Sequence, residues 1–278
     1  MTRLFDRRLR VTVDTIEFTT LDCSFTVKKT LKPKPNTCEL TIFNLSDEHI
    51  AQLENLRPKE KVATKGIPCK IEAGYRDGMT QIWLGDLRTC LTTREGADWV
   101  TRLESGDGEK AWQNARLHVS YGAKTPLETS LRAMVRALGL GEGNLSKIVA
   151  KLKQNGSAIW PAGKTFSGAV QRQITAFARS ADLEVSIQDG AIQFLDRGKA
   201  LAGTSVRLSP ETGLLGSPTV DKDGVLEATM LMIPDVRCGG LMTVEARRVQ
   251  GTYRIEEAEW SDSTDGDEWG ITARGKRY

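Results

Sequence analysis

Residues Cys38 to Leu53, CELTIFNLSDEHIAQL, join a strand to a helix through Asn44-Leu45-Ser46. Cys38, Leu40 and Ile42 alternate with Glu39, Thr41 and Phe43, the period-2 pattern of a strand with one buried face. Beyond Ser46 the period changes. Ser46 is placed to accept from free amides at a helix start, Asp47 and Glu48 set negative charge on the positive end of the helix dipole, and Ile50 and Leu53 share one side. By spacing alone this is an ordinary strand-to-helix junction, and its neighbours give it meaning.

Toward the N-terminus, Leu9, Val11 and Val13 alternate with polar residues, as do Phe25 and Val27 before Lys32-Pro33-Lys34-Pro35-Asn36. Those prolines cannot donate to a ladder and favour an extended connection. Toward the C-terminus, Arg57-Pro58 stops the helix. Strands follow over Cys69 to Tyr75, Ile82 to Leu91 and Trp99 to Leu103, with turn chemistry at Asp77-Gly78 and Glu95-Gly96. Short strands at this spacing predict a small barrel or sandwich ending near Asp107.

The middle of the chain is helical. Thr125-Pro126-Leu127-Glu128 reads as a capping box with proline in the first helical position, followed by the stripe Leu127, Leu131, Met134, Val135 and Leu138 and a stop at Gly139. A second helix is expected from Asn144 or Leu145 to about Lys153, closed by Asn155-Gly156, and a third from about Ser167 to Arg179 with Val170, Ile174 and Phe177 inward. Leu183, Val185 and Ile187 then face Ile192 and Phe194 across Asp189-Gly190, a strong hairpin signal. The last third returns to strands over Val206 to Leu208, Leu226 to Ile233, Leu241 to Ala246, Tyr253 to Trp260 and Trp269 to Ala273. The expected fold is therefore mainly β with an α+β insert. Two small β-barrel-like modules, 1–108 and 201–278, flank a helical and hairpin segment at 109–200.

The two β segments carry similar text. Ile71-Glu72-Ala73 precedes Gly96-Ala97-Asp98-Trp99, and Val244-Glu245-Ala246 precedes Gly266-Asp267-Glu268-Trp269; the intervals from first apolar residue to Trp are 28 and 25. Duplication and the repetitiveness of strand-turn-strand text both account for this.

Composition excludes several function classes. With 278 residues, 39% hydrophobic and 27% charged, the chain belongs among globular proteins with a sizeable core. No apolar run approaches the roughly 20 residues of a membrane helix, and MTRLFDRRLRV lacks the apolar stretch of a signal peptide, so no membrane association is expected. A net charge of +3 makes no strong case for nucleic acid. The basic groups Arg3, Arg7, Arg8, Arg10 and Lys28, Lys29, Lys32, Lys34 fit solvated strand faces better than a channel lining for passing DNA. Cys23, Cys38, Cys69, Cys90 and Cys238 lie in or beside strand-like runs without a C-x-x-C pair and read as reduced core thiols.

Catalytic signatures fail their context tests. Gly163-Lys164-Thr165 matches the tail of a phosphate-binding loop, but Ala158 replaces the first glycine, Ile159 and Trp160 are bulky, Pro161 deletes a donor, and no apolar strand precedes it. Gly139-Leu140-Gly141-Glu142-Gly143 follows a helix rather than a strand, against a dinucleotide fingerprint. Glu72 with Asp86, or Glu104 with Asp107, offer paired carboxyls for sugar hydrolysis, but these acids alternate with apolar residues like the wet faces of strands. His49 and His118 are the only histidines, and neither adjoins a G-x-S-x-G turn. No catalytic, cofactor-binding or metal residue and no cofactor is expected. Trp112 and Trp160, flanking the insert, are candidate anchors of a subunit contact, with core packing as the simpler role.

Five stretches together resemble the baseplate or tail hub proteins of tailed bacteriophages: VKKTLKPKPNTCELTIFNLS (Val27 to Ser46), IEAGYRDGMTQIWLGDLR (Ile71 to Arg88), REGADWVTRLESGDGEKA (Arg94 to Ala111), LEVSIQDGAIQFLDRG (Leu183 to Gly198) and LSPETGLLGSP (Leu208 to Pro218). The resemblance implies a non-enzymatic structural subunit of the virion tail, assembled in the host cytoplasm, that forms a homotrimer. Its two similar modules, three times over, would offer six to a hexameric tail tube or distal tube protein, with the trimeric spike and other baseplate proteins on the far side. DNA would pass the lumen without specific binding. A tail-associated cell-wall hydrolase and a hexameric tube-terminating adaptor are the alternatives.

Overall fold

A computed structural model describes residues 6–19, 22–56, 66–156, 158–203, 205–262 and 269–278, the side chains of 109–111 excepted. Arg3, Arg57-Pro58 and Gly266-Asp267-Glu268 lie outside these residues. The chain divides into two compact units, one comprising 1–30, 36–106 and 200–278 and the other 31–35 and 107–199.

The first unit holds a 13-stranded sheet. From the first third come β1 (Arg7–Val13), β2 (Ile16–Phe18), β3 (Cys23–Thr30), β4 (Thr37–Phe43), β5 (Pro68–Tyr75), β6 (Gly78–Glu95) and β7 (Asp98–Gly106). From the last third come β12 (Ser205–Leu208), β13 (Leu214–Val220), β14 (Val225–Leu231), β15 (Leu241–Glu245), β16 (Gln250–Asp262) and β17 (Trp269–Arg277). The order is β13-β14-β17-β16-β3-β4-β7-β6-β5-β1-β2, with β15 beside β16 and β12 beside β15. All pairs are antiparallel except β12 with β15. Separate barrel-like modules were the expectation, and it needs correction. The two ends of the chain are fused by the β3–β16 ladder, from Phe25 opposite Asp262 to Thr30 opposite Glu257, into one sheet with no closed barrel among the described residues. A strand pattern read from sequence specifies faces, not which edge finds which neighbour.

The Cys38 stretch forms β4 and α1 (Asp47–Leu56) as its pattern predicts. Ser46 Oγ accepts the His49 amide at 3.3 Å, and Leu53 is fully buried. Asn44 between them adopts φ 53°, a left-handed conformation that asparagine tolerates. Its side chain accepts the Trp99 amide at 3.1 Å and donates to Asp98 at 3.0 Å, fixing the tip of the β6–β7 hairpin.

One core face runs across both halves of the sheet. Trp83 donates to Ser105 at 3.0 Å, the Trp269 ring meets Phe25 and Tyr75 edge-on, and the Met232 amide donates to Tyr75 at 3.2 Å. Lys29 is buried with its ammonium 6.0 Å from the Trp83 ring and 5.5 Å from the Trp260 ring, a geometry that places the cation over two π faces.

The second unit contains α2 (Glu109–Asn114), β8 (Arg116–Tyr121), α3 (Leu127–Leu138), α4 (Leu145–Gln154), β9 (Lys164–Ala169), α5 (Val170–Ser180), β10 (Leu183–Gln188) and β11 (Ala191–Asp196). The apolar stripe of α3 is buried as expected, and Gly139 ends it at φ 64°. Two local expectations fail. Pro126 is the N-cap rather than the first helical residue, and Thr125 donates its hydroxyl to the Gly122 carbonyl instead of capping. The third helix starts at Val170, because Lys164 to Ala169 pairs with β8. Asp189 and Gly190 both adopt positive φ, 53° and 74°, as a tight hairpin requires.

Gly139-Leu140-Gly141-Glu142-Gly143 runs beside β11. Gly141 donates to the Gly190 carbonyl and accepts the Ile192 amide, and Asn144 both accepts from and donates to the Phe194 backbone. A Cβ on Gly143, at φ 51°, would lie 1.9 Å from the Ile192 carbonyl oxygen. Its backbone must approach that closely, so Gly143→Ala is expected to destabilise the protein by roughly 2 kcal/mol or more. Gly156→Ala, at φ 73° with open space around it, should cost only about 1 kcal/mol. Urea denaturation of the two variants checks this; equal losses would contradict the close approach.

Candidate functional site: the repeated sheet and its open edges

Side chains that sequence offered as chemistry are dispersed. Asp86 lies opposite Pro68, and Glu72 is four residues further along β5, so these carboxyls are separated by about 13 Å of strand. Glu72 instead meets Lys70 at 3.0 Å and Arg10 at 3.7 Å. Glu104 is exposed on β7, while Asp107 is fully buried and accepts the Gly190 amide at 2.6 Å. His118 contacts Ser167 at 3.0 Å, and His49 packs edge-on against Phe18. Lys164 does not head a phosphate loop: its ammonium sits 5.2 Å from the Trp160 ring and 5.8 Å from that of Phe166. Among the described residues no group of three or more His, Cys, Asp or Glu comes together as a metal set. No helix among them is long and apolar enough to cross a membrane.

Several of the basic groups are taken up by the sheet. Arg10 pairs with Glu17 and Glu72, Lys28 with Glu259 at 3.5 Å, and Arg7 lies over the Trp269 ring. Trp112 is a core residue, and Trp160 donates to Ser130 at 3.1 Å while packing on Phe166. The exposed tryptophan is Trp99, 43% accessible at the hairpin tip. Its strand-like context gave no sign of this, because exposure at a tip depends on what stands beside it.

What the structure does bring together is a repeat. The first half orders its strands β1-β5-β6-β7-β4-β3, and the second orders its strands β12-β15-β16-β17-β14-β13. In each half the long middle strand pairs the preceding strand with its first part and the following strand with its second. Each middle strand also carries one extra residue near this change of partner, Arg88 in β6 and Glu256 in β16. Aligned at these bulges, Ile71-Glu72-Ala73 falls on Val244-Glu245-Ala246 and Trp99 on Trp269, the pairs that sequence suggested. The halves differ at β1, which is antiparallel to β5 where β12 is parallel to β15, and β2 has no counterpart among the described residues.

The family model described as "Baseplate hub gp41" matches residues 8–275. The chain belongs to this family. It is a baseplate or tail-hub-like structural protein of a phage virion tail. Among solved structures, it is similar to the 43 kDa tail protein of prophage MuSo2 from Shewanella oneidensis, at 9% identity and TM-score 0.66, over 98% of this chain and 97% of that one. A tail protein from Neisseria meningitidis MC58 gives 10% identity and TM-score 0.64 over 98% and 97%. The E. coli c3393 protein, a type VI secretion component described as similar to T4 tail proteins gp27 and gp5, gives 9% identity and TM-score 0.57 over 96% and 76%. At these identities the likeness concerns the fold. No curated protein matches by sequence.

All five cysteines of the hub protein are buried, and none is in a disulfide. Burial pushes the Cys23 and Cys69 thiols up from 9.0 to about 12, and holds Cys38 well above its ordinary value. A thiol whose pKa is raised on folding favours the folded state below its unfolded pKa, and that advantage is lost as pH rises from 9.0 toward about 12. Urea midpoints should therefore fall between pH 8 and pH 10.5, and less steeply in a Cys23→Ala/Cys69→Ala variant; parallel slopes would contradict the assignment. At neutral pH none of the five should react with a thiol reagent until the protein is denatured.

Proposed function

We propose that this chain is a non-enzymatic hub subunit that trimerises to adapt a hexameric tail tube to a trimeric spike. The repeated strand order supports this reading most directly. Two modules of like topology in one chain, taken three times about an axis, supply six similar surfaces to a sixfold ring while keeping threefold symmetry for the other partner. In this reading 1–108 and 201–278 are the two modules, and 109–200 is an insert between them that serves contacts with the spike or other baseplate proteins. Assembly takes place in the host cytoplasm, and a tube or distal tube protein is the partner on the sixfold side.

Family membership over residues 8–275 and the tail proteins of like fold agree with this role. So does the polar face of the sheet, where Lys28–Glu259, Arg274–Glu227 and Arg102–Glu95 pairs interleave opposite charges. A lumen bounded by such a face would pass DNA without holding it, since exposed paired charges leave little excess field to bind a polyanion.

The test is stoichiometry. Sedimentation of the chain mixed with its tube and spike proteins is expected to give a complex holding three copies. Six copies, or no complex with either protein, would overturn the reading.

A further inference from the structure

The repeat leaves one junction without its counterpart, and we infer that a second copy of the chain completes it. Within the chain, β3 is the outer strand of the first half and pairs with the second part of β16, on the side away from β17. The matching elements are β13, the outer strand of the second half, and the second part of β6, on the side away from β7. Both lack a strand partner there among the described residues. The β3–β16 ladder, repeated between chains, therefore pairs β13 of one copy with β6 of the next. This inference rests on the trimeric reading and specifies its contact.

The bulge alignment gives the register. Glu257 to Asp262 of β16 correspond to Thr89 to Arg94 of β6, and Thr26 and Val27 of β3 correspond to Thr219 and Val220 of β13. Val27 lies opposite Trp260 and Thr26 opposite Ser261. Between copies Val220 then lies opposite Thr92, and Thr219 opposite Thr93. Accessibility agrees with this. Val27, flanked on both sides, is 0% exposed, whereas Val220 in the equivalent place is 45% exposed. Leu91 at 54% and Leu215 at 42% are further exposed aliphatics on these two strands. Open edges with uncovered apolar side chains are what soluble proteins avoid unless a partner strand covers them.

The edge is also limited in length. The β13–β14 register shifts between Leu215 and Thr219, and Pro218 lacks the amide a ladder needs. Pairing is thereby confined to the end of β13 that begins at Thr219. Because β13 and β6 are different surfaces, the contact is head-to-tail and ends in a closed ring only when the rotation suits, as it does for three copies carrying six modules.

Disulfide trapping in the full-length chain tests this. Residues directly opposite on antiparallel strands have Cα atoms roughly 4.5–5.5 Å apart, within disulfide reach. Thr93→Cys combined with Thr219→Cys should, on mild oxidation, give linked species of two and three chains and none larger. Thr92→Cys with Val220→Cys should do the same, whereas Thr93→Cys with Leu215→Cys should link several-fold less. Sedimentation of the same samples under reducing conditions separates the outcomes. Trimers in which neither in-register pair links would overturn this contact and leave the trimeric reading standing. Absence of trimers, with or without spike and tube proteins, would overturn both.

Discussion

The ladder between β3 and β16 is the constraint on which the first unit depends. Its partners lie more than two hundred residues apart in the chain, so its formation closes a very long loop before any neighbouring contact repays that entropy. Once made, it turns two sets of strands into one sheet with a shared core face. Lys29 between the Trp83 and Trp260 rings, and Trp269 between Phe25 and Tyr75, are side chains of both halves that only this pairing brings together. Strand edges that would otherwise stand open are satisfied in the middle of the sheet, while β13, β2 and β12 keep an outer edge.

The second unit solves its packing by different means. Helices α4 and α5 pack on the β10–β11 hairpin and α3 lies against α5 and β8, their apolar stripes joining one core, and glycines let the chain after α3 run as a near-strand beside β11. Its ionic contacts are surface ones. Glu128 meets Arg132 and Lys153, Arg132 also meets Glu142, and Lys151 meets Asp196. Such exposed pairs tie helix to helix or to strand at small energetic gain each, so the stability of this unit comes chiefly from its buried apolar residues.

Much of this was legible in the sequence where the signal is local. The alternation at Cys38 to Phe43, the Ser46 cap, the α3 stripe and the Asp189-Gly190 turn are all set by residues within a few positions of each other, and the structure has each of them. Strand β13 escaped notice because Gly216-Ser217-Pro218 breaks its alternation. The end of strand β9, Ser167 to Ala169, falls within the expected third helix, because its pairing with β8 is a tertiary contact that overrides local preference. The expected barrel-like modules gave way to a single sheet for the same reason: faces are written in the period, but the choice of neighbour is not. The Gly143 region, which resembled a nucleotide fingerprint, shows glycine used for close backbone approach to the Ile192 carbonyl. The Trp99 and Trp269 correspondence was visible as text, and only the two bulges gave it a register.

The central claim, that the two ends of the chain form one cooperative sheet through β3 and β16, is tested most directly by native-state hydrogen exchange. The account predicts that the amides of Phe25 to Lys29 and of Ala258 to Trp260 are among the slowest to exchange, opening together with a common free energy that matches global unfolding. Faster and separate opening of these two segments, with each half of the sheet retaining its own protection, would contradict it.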